Sequence, residues 1–267
     1  MLAVLAYRAA DVVAGVLPAR AADALAVLIA RAAYALHLPA RRFLEANLSR
    51  VLPGLPATRR RALGRAAFVS FARGFARFLR GPHPLPPGRV RIEGAEHLAL
   101  ARASGRGVIL LSAHVGDWEL GAACIASQGI PLHLAARRQR EGAIEALFAR
   151  RRLSDGVRVL PAEARFVLGA AALRRGEWIA LMADRAPARA HATSVCAWAA
   201  ALARRTGALV LPAVCVSEPD GSRVLRIEAP IPPARCREGA FADTLRGWLE
   251  RWPGQWAAFE PVPEGIA

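Results

Sequence analysis

Between residues 81 and 88 the chain reads Gly81-Pro82-His83-Pro84-Leu85-Pro86-Pro87-Gly88. No helix or interior strand runs through such a segment, because each proline ring fixes φ and removes an N–H donor. The run divides the chain into two textures. Before it, Ala, Leu and Arg dominate, and apolar residues recur at three- and four-residue spacing, as in ALGRAAFVSFARGFARFLR, the period of an amphipathic helix. Residues 1–80 are therefore expected to form a helical region, and 89–267 a second unit.

The second unit alternates between strand and helix patterns. Arg89-Val90-Arg91-Ile92-Glu93 has the period of a half-exposed strand, and Gly107-Val108-Ile109-Leu110-Leu111-Ser112 is a continuous apolar run of the buried parallel kind. Further strands are expected at 132–136, 157–160, 178–182, 210–216 and 224–228. Helices are expected at 118–127, 144–152, 164–174 and 194–206. Strands interleaved with helices predict an α/β fold, a largely parallel mixed sheet flanked by helices, with the N-terminal helical region beside it.

Charge and hydropathy narrow the partners. The 267 residues carry 37 basic and 21 acidic side chains, a net charge of +16, and every basic one is arginine. Yet 54% of the chain is hydrophobic and the mean hydropathy is +0.25, which excludes intrinsic disorder. A basic chain that is also apolar suits an anionic partner with a greasy part, and a membrane surface fits better than bare nucleic acid. The N-terminal 38 residues are broken by Arg8, Asp11, Arg20, Asp23 and Arg31, so no uninterrupted stretch reaches the about 20 apolar residues of a spanning helix. They read either as helices lying in a membrane interface or as an amphipathic pair packed on a core. Cys124, Cys196, Cys215 and Cys236 are widely separated, a pattern of neither zinc site nor disulfide framework and compatible with a reducing cytosol. No metal is expected.

The segment GVILLSAHVGDWELGAA, residues 107–123, carries the chemistry. His114 follows the buried strand, and the carboxyl ends of strands in open α/β sheets are where ligands bind. Gly116 permits a tight turn before a helix starting near Asp117. Glu119, in the first helical turn, is expected to turn back, accept the ring N–H of His114 and fix its tautomer. None of the other five histidines has an acid five residues on. A histidine satisfied by backbone, with Glu119 as a favourable charge at a helix start, has the same spacing. No serine or cysteine is placed as a nucleophile beside His114, so the hydroxyl to be activated would belong to a substrate.

SAHVGDWELGA resembles the first signature block of the lipid A late acyltransferase family, within the His-x4-Asp/Glu superfamily of glycerolipid acyltransferases. Asn47-Leu48-Ser49-Arg50-Val51-Leu52-Pro53 resembles that family's N-terminal block, and Arg137 in LAARRQ stands where a family arginine follows the next strand. Asp184 in LMADRAP matches an aspartate after the strand beginning Gly176-Glu177-Trp178, and Pro253-Gly254-Gln255-Trp256 is similar to a C-terminal turn. Three features depart from the pattern: Arg185 follows Asp184 in place of Gln or His, the Arg-rich ending is missing, and no strong spanning helix opens the chain.

The resemblance implies transfer of a fatty acyl chain from an acyl carrier protein or coenzyme A thioester to a hydroxyl of a membrane glycolipid, at the cytoplasmic face of an inner membrane. His114 would be the general base and Glu119 its partner, with no cofactor beyond the thioester co-substrate. Backbone N–H groups at Gly116–Trp118 would meet the oxyanion, and Trp118 and Trp178 would line an acyl groove. Arg137 or Arg138 would bind a phosphate, and Asp184 would orient an acceptor hydroxyl or Arg185. A lysophospholipid acyltransferase and a non-catalytic basic protein binding membrane or nucleic acid are the alternatives; no nucleic-acid motif is present.

Overall fold

In the computed structural model, residues 2–36, 38–81, 90–161, 164–185 and 194–263 are described. The Gly/Pro-rich segment 82–88 thus lies outside the described residues, as does Arg89. The N-terminal region forms four helices, α1 (Leu2–Val16), α2 (Ala19–Ala35), α3 (Pro39–Val51) and α4 (Ala57–Arg80). Then follow β1 (Val90–Glu93), α5 (Ala95–Ala103), β2 (Val108–Ser112), α6 (Trp118–Ala126) and β3 (Leu132–Leu134). The chain continues through α7 (Gly142–Ser154), β4 (Val157–Val159), α8 (Arg165–Arg174), β5 (Trp178–Met182), α9 (Val195–Thr206), β6 (Leu209–Ser217), β7 (Arg223–Ile227) and α10 (Glu238–Arg251). Strands stand at all seven expected places, and α5 and α10 are helices that the apolar pattern had not marked.

The seven strands form one sheet in the order β1-β7-β6-β2-β5-β3-β4. Five run parallel, while β6 and β7 pair antiparallel and β1 lies parallel to β7. The sheet is thus mixed and mostly parallel. Side-chain alternation along β2 feeds two cores. Ile109 and Leu111 enter a cluster with α2, α3, α4, α8, α9 and α10. Val108 and Leu110 enter another with Leu98 and Ala101 of α5 and Leu120, Cys124 and Ile125 of α6. Because Leu44, Leu48, Leu63 and Phe68 share the first cluster with the sheet, α3 and α4 are part of the wall around its C-terminal edge.

That edge is fixed by register. β2 and β5 are neighbours, with Ser112 opposite Met182, and the Ala183 N–H donates to the Ser112 carbonyl at 2.8 Å. Two residues beyond each strand end stand His114 and Asp184. Ala113 and Ala183, 0% and 3% exposed, are small enough for the two extensions to stay close.

At the other end of the sheet, Glu177 accepts hydrogen bonds from Arg175 Nε and Nη2 at 2.9 and 2.8 Å and faces His133 Nε2 at 2.7 Å. Hydrogen bonding from Arg175, against a smaller penalty of burial and with help from His133, pulls the carboxyl down from 4.5 to about 2. A pKa lowered by folding means that the unfolded chain binds more protons between those values. The stabilisation is therefore present above about pH 4.5 and lost as pH falls toward 2. Glu177→Gln should flatten the decline of the thermal-unfolding midpoint across that window; a slope equal to that of the wild type would count against the triad.

Candidate active site

β2 ends at Ser112, and the chain then passes Ala113 and His114 before a turn at Val115-Gly116 opens α6. The turn is strapped on both sides. The Gly116 N–H donates to the Gln255 carbonyl at 2.9 Å, the Asp117 N–H to the Cys215 carbonyl at 2.7 Å, and the Ala257 N–H to the His114 carbonyl at 2.7 Å. Gly116 has φ +70, and a Cβ there would collide with the Cys215 carbonyl, so glycine is required on two counts. The Gln255 side chain pairs with β6 like a short strand, accepting from the Ser217 N–H at 3.0 Å and donating to the Ser217 carbonyl at 2.6 Å.

His114 and Asp184 meet at the end of this strap. Asp184 Oδ1 lies 2.8 Å from His114 Nδ1, while Oδ2 accepts the His114 backbone N–H and Trp256 Nε1–H, each at 2.9 Å. Asp184 is 1% exposed and Trp256 0%. Burial alone would raise the Asp184 carboxyl, but the adjacent imidazole and these N–H donors outweigh it and hold it below the ordinary carboxylate value. An ionised carboxylate only accepts, so Nδ1 carries a hydrogen, and in the neutral imidazole the lone pair is then on Nε2. The Trp118 ring meets the imidazole edge-on, with centroids 4.9 Å apart.

Glu119 is not the partner of that imidazole. Its carboxylate takes Arg152 Nη2 at 2.7 Å and Nε at 3.1 Å, with both side chains mostly buried. Helical geometry explains the correction. Successive residues are turned by about 100°, so when Trp118 faces His114 its neighbour faces α7. Glu119 and Arg152 fasten α6 to α7, and the Arg152 guanidinium lies over the Phe78 and Phe148 rings at 5.8 and 5.6 Å. Asp117 does similar work on the other side. It caps α6 by accepting the Leu120 N–H at 3.3 Å, and it takes Arg77 of α4 at 2.8 Å.

The expected oxyanion donors need a second correction, because the Gly116 and Asp117 N–H groups are already committed to carbonyls. Trp178 is 3% exposed on the α5–α6 side of the sheet; it packs in the core and lines no groove there. Arg137 and Arg138, in the segment after β3, are exposed, and Arg137 Nη1 reaches Glu260 Oε2 at 3.1 Å. Arg185 Nη1 stands 4.0 Å from Glu260 Oε1; it is not held by Asp184. Cys215, beside the turn, is buried, which pushes its thiol well above the ordinary value and makes it a poor nucleophile.

Three site residues escaped sequence reasoning in their roles. Trp256 and Gln255 belong to the C-terminal turn that the sequence did flag, but nothing in the linear order shows that they serve Asp184 and β6. Asn47 was flagged likewise. Its Nδ2 donates to the Ala258 and Glu260 carbonyls at 2.9 and 2.8 Å, tying the C-terminal segment to α3.

Aromatic side chains extend from His114 along α4. Phe71 stacks on Trp118 at 6.0 Å and on Phe75 at 5.9 Å, and Phe75 meets Tyr7 of α1 and Phe148 of α7. A basic groove of about 1070 Å³ opens on the other face of α4, lined by Arg20, Asp23, Arg73, Arg77 and Arg80, with neither His114 nor Asp184 in its wall. Among the described residues no three His, Cys, Asp or Glu side chains are grouped to hold a metal ion.

A double-mutant cycle tests the assignment of Glu119. Glu119→Gln and Arg152→Met should couple in urea unfolding by about 0.5–3 kcal/mol, whereas Glu119→Gln and His114→Ala should add independently. Strong coupling to His114 would restore the pairing expected from the spacing.

Among known proteins, the family model described as bacterial lipid A biosynthesis acyltransferase matches residues 2–251. The phosphatidylinositol mannoside acyltransferase of Mycolicibacterium smegmatis is 29% identical over 258 residues, covering 90% of this chain and 85% of its own.

Proposed function

The chain belongs to the bacterial lipid A biosynthesis acyltransferase family and is an acyltransferase of lipid biosynthesis, and from that premise we propose that His114 is its general base and Asp184 the acid that orients it. The observation carrying this reading is the buried His114–Asp184 pair at the carboxyl end of β2 and β5. His114 Nε2 takes the proton of an acceptor hydroxyl as its oxygen attacks the thioester carbonyl of the acyl donor. The C–O bond forms, the tetrahedral intermediate collapses, the C–S bond breaks, and the imidazolium returns its proton to the leaving thiolate. Asp184 stays ionised throughout and balances the imidazolium.

The acyl donor in this reading is an acyl carrier protein or coenzyme A thioester, with no further cofactor. The acceptor is a hydroxyl of a membrane glycolipid. The relative's name, phosphatidylinositol mannoside acyltransferase, favours an anionic, sugar-bearing phospholipid over lipid A itself. The rings of Trp118, Phe71 and Phe75 offer an apolar wall along which the acyl chain can lie. Glu119 acts through position, by holding α6 and so Trp118 in place. The oxyanion is met by the Trp118 N–H at the start of α6, since its two predecessors are engaged.

His114→Ala should lower transfer from an acyl thioester by about 10²–10⁴-fold with folding intact, the scale of general-base catalysis. Asp184→Asn, which keeps shape and removes the charge, should reduce kcat with little change in KM. Wild-type turnover in either variant would sink the dyad.

The same reading places the enzyme on the cytoplasmic face of the inner membrane. Among the described residues no single helix is long and apolar enough to cross a membrane, and α2 and α3, bent by 81°, pass that test only as a pair. Leu5, Val12 and Val16 of α1 and Leu28 and Ile29 of α2 are more than half exposed, on a chain of net charge +16. Large apolar groups open to water beside arginines support adsorption at an anionic surface. Leu28→Asp/Ile29→Asp should weaken sedimentation with anionic phospholipid vesicles about tenfold or more, given the about 1.5–3 kcal/mol of burying one such side chain. Undiminished sedimentation would remove α2 from the interface.

A further inference from the structure

Two strand ends, one of them next to Asp184 along the chain, bring two guanidinium groups to one carboxylate. Arg137 comes from the segment after β3, Arg185 follows Asp184 after β5, and both address Glu260 of the C-terminal segment, at 3.1 and 4.0 Å. The set is unevenly satisfied. Arg185 Nε is buried and has no hydrogen-bond partner among the described residues, and its sole ion pair there is the 4.0 Å one. Glu260 is held by its main chain, whose carbonyl takes Asn47 Nδ2–H, and by Phe259, which packs on Phe68 and Phe71 at 4.8 and 5.2 Å. Its carboxylate can therefore swing while the backbone stays. The side chains of Arg137, Arg185 and Glu260 are 49%, 32% and 43% exposed, so water and ions reach all three and the pairing is weak.

We propose that Arg137 and Arg185 form a two-guanidinium seat for a phosphate of the substrate, and that Glu260 is its resident counter-ion, displaced when the phosphate binds. A phosphate offers several strongly accepting oxygens, enough to take both forks and the unused Nε–H together, which one carboxylate at these distances does not do. The location beside the reacting centre rests on the dyad reading above. Phosphate of this kind comes either from the headgroup of an anionic lipid acceptor or from the donor, as coenzyme A or a phosphopantetheine arm. Glu260 then sets a selectivity, since a neutral headgroup cannot displace it.

Calorimetric titration of the purified full-length chain in neutral detergent separates these sources. The probes are glycerophosphoinositol, a soluble headgroup phosphodiester; coenzyme A; and myo-inositol as the uncharged control. At least one phosphate-bearing probe should bind and inositol should not. Arg137→Gln and Arg185→Gln should each weaken that probe about tenfold or more, the scale of a hydrogen bond to a charged group. Glu260→Gln should tighten it about threefold, the scale of a half-exposed ion pair. The probe that responds identifies the source. Absence of phosphate binding, indifference to both arginine variants, or weaker binding by Glu260→Gln would each overturn the seat. His114→Ala should bind like the wild type; retained acyl transfer in that variant overturns the dyad and leaves the seat to be judged by the binding measurements on the Arg137, Arg185 and Glu260 variants.

Discussion

A carboxylate with 1% of its surface exposed, as Asp184 has, stays ionised only when protein donors replace the water that it has lost. Three N–H groups do so, and they come from distant parts of the chain: the main chain and ring of His114 after β2, and the indole of Trp256 near the C-terminus. The β2–β5 register brings the first two to Asp184, and the strap around Gly116 brings the third. Removing any one donor would leave a buried charge under-satisfied, a loss of about 1–3 kcal/mol or more. The fold around the site is therefore organised to deliver donors to this one group, and the imidazole is held as part of that arrangement.

α4 divides the surroundings of that centre. Phe68, Phe71, Phe75 and Phe78 recur at helical spacing and build its aromatic face, while Arg73, Arg77 and Arg80 build the opposite one. Several arginines that made the sequence look like a general polyanion binder are structural. Arg77 steadies the Asp117 cap, Arg152 holds Glu119, Arg151 holds Asp11, and Arg80 satisfies the Ala14 and Leu17 carbonyls at the end of α1. A net charge counts such groups equally with those that face a substrate, which is why it indicated a class of partner and no location.

The strands were legible because apolar runs of β-branched and aliphatic residues bounded by glycine admit few other structures, but the division of β2 side chains between two cores was not, since its run is apolar throughout. His114 was legible because it stands just past such a run. Its partner was not. Five-residue spacing is a local relation, and it pointed to Glu119, whereas the acid at Nδ1 lies 70 positions away. The useful signal was the parallel between two strand ends, Leu110-Leu111-Ser112-Ala113-His114 and Ala180-Leu181-Met182-Ala183-Asp184. It becomes a contact only when β2 and β5 are known to be neighbours in register, and strand order is a tertiary fact. α10 was missed for a related reason, since its apolar stripe of Phe241, Leu245, Trp248 and Leu249 is interrupted by Gly247 and flanked by charges.

The strap also restricts how the proposed reaction can stabilise its oxyanion. A loop that tightens around an intermediate needs N–H groups to spare, but Gly116 and Asp117 donate to carbonyls of the C-terminal turn and β6. Freeing them would break pairing that holds Trp256 against Asp184. Stabilisation must then come from groups that are already placed: the first turn of α6, where N–H groups point outward from the helix start and the helix dipole adds partial positive charge, and guanidinium groups at the rim. Trp118 opens that turn and touches His114, so one residue would position both the proposed donor and the proposed base. The Asp117 cap and the Glu119–Arg152 clamp fix the angle of α6 from either side of it. In the proposed reaction, an acid within the His-x4-Glu spacing would thus serve without touching the imidazole, by fixing the helix whose first N–H is the proposed oxyanion donor.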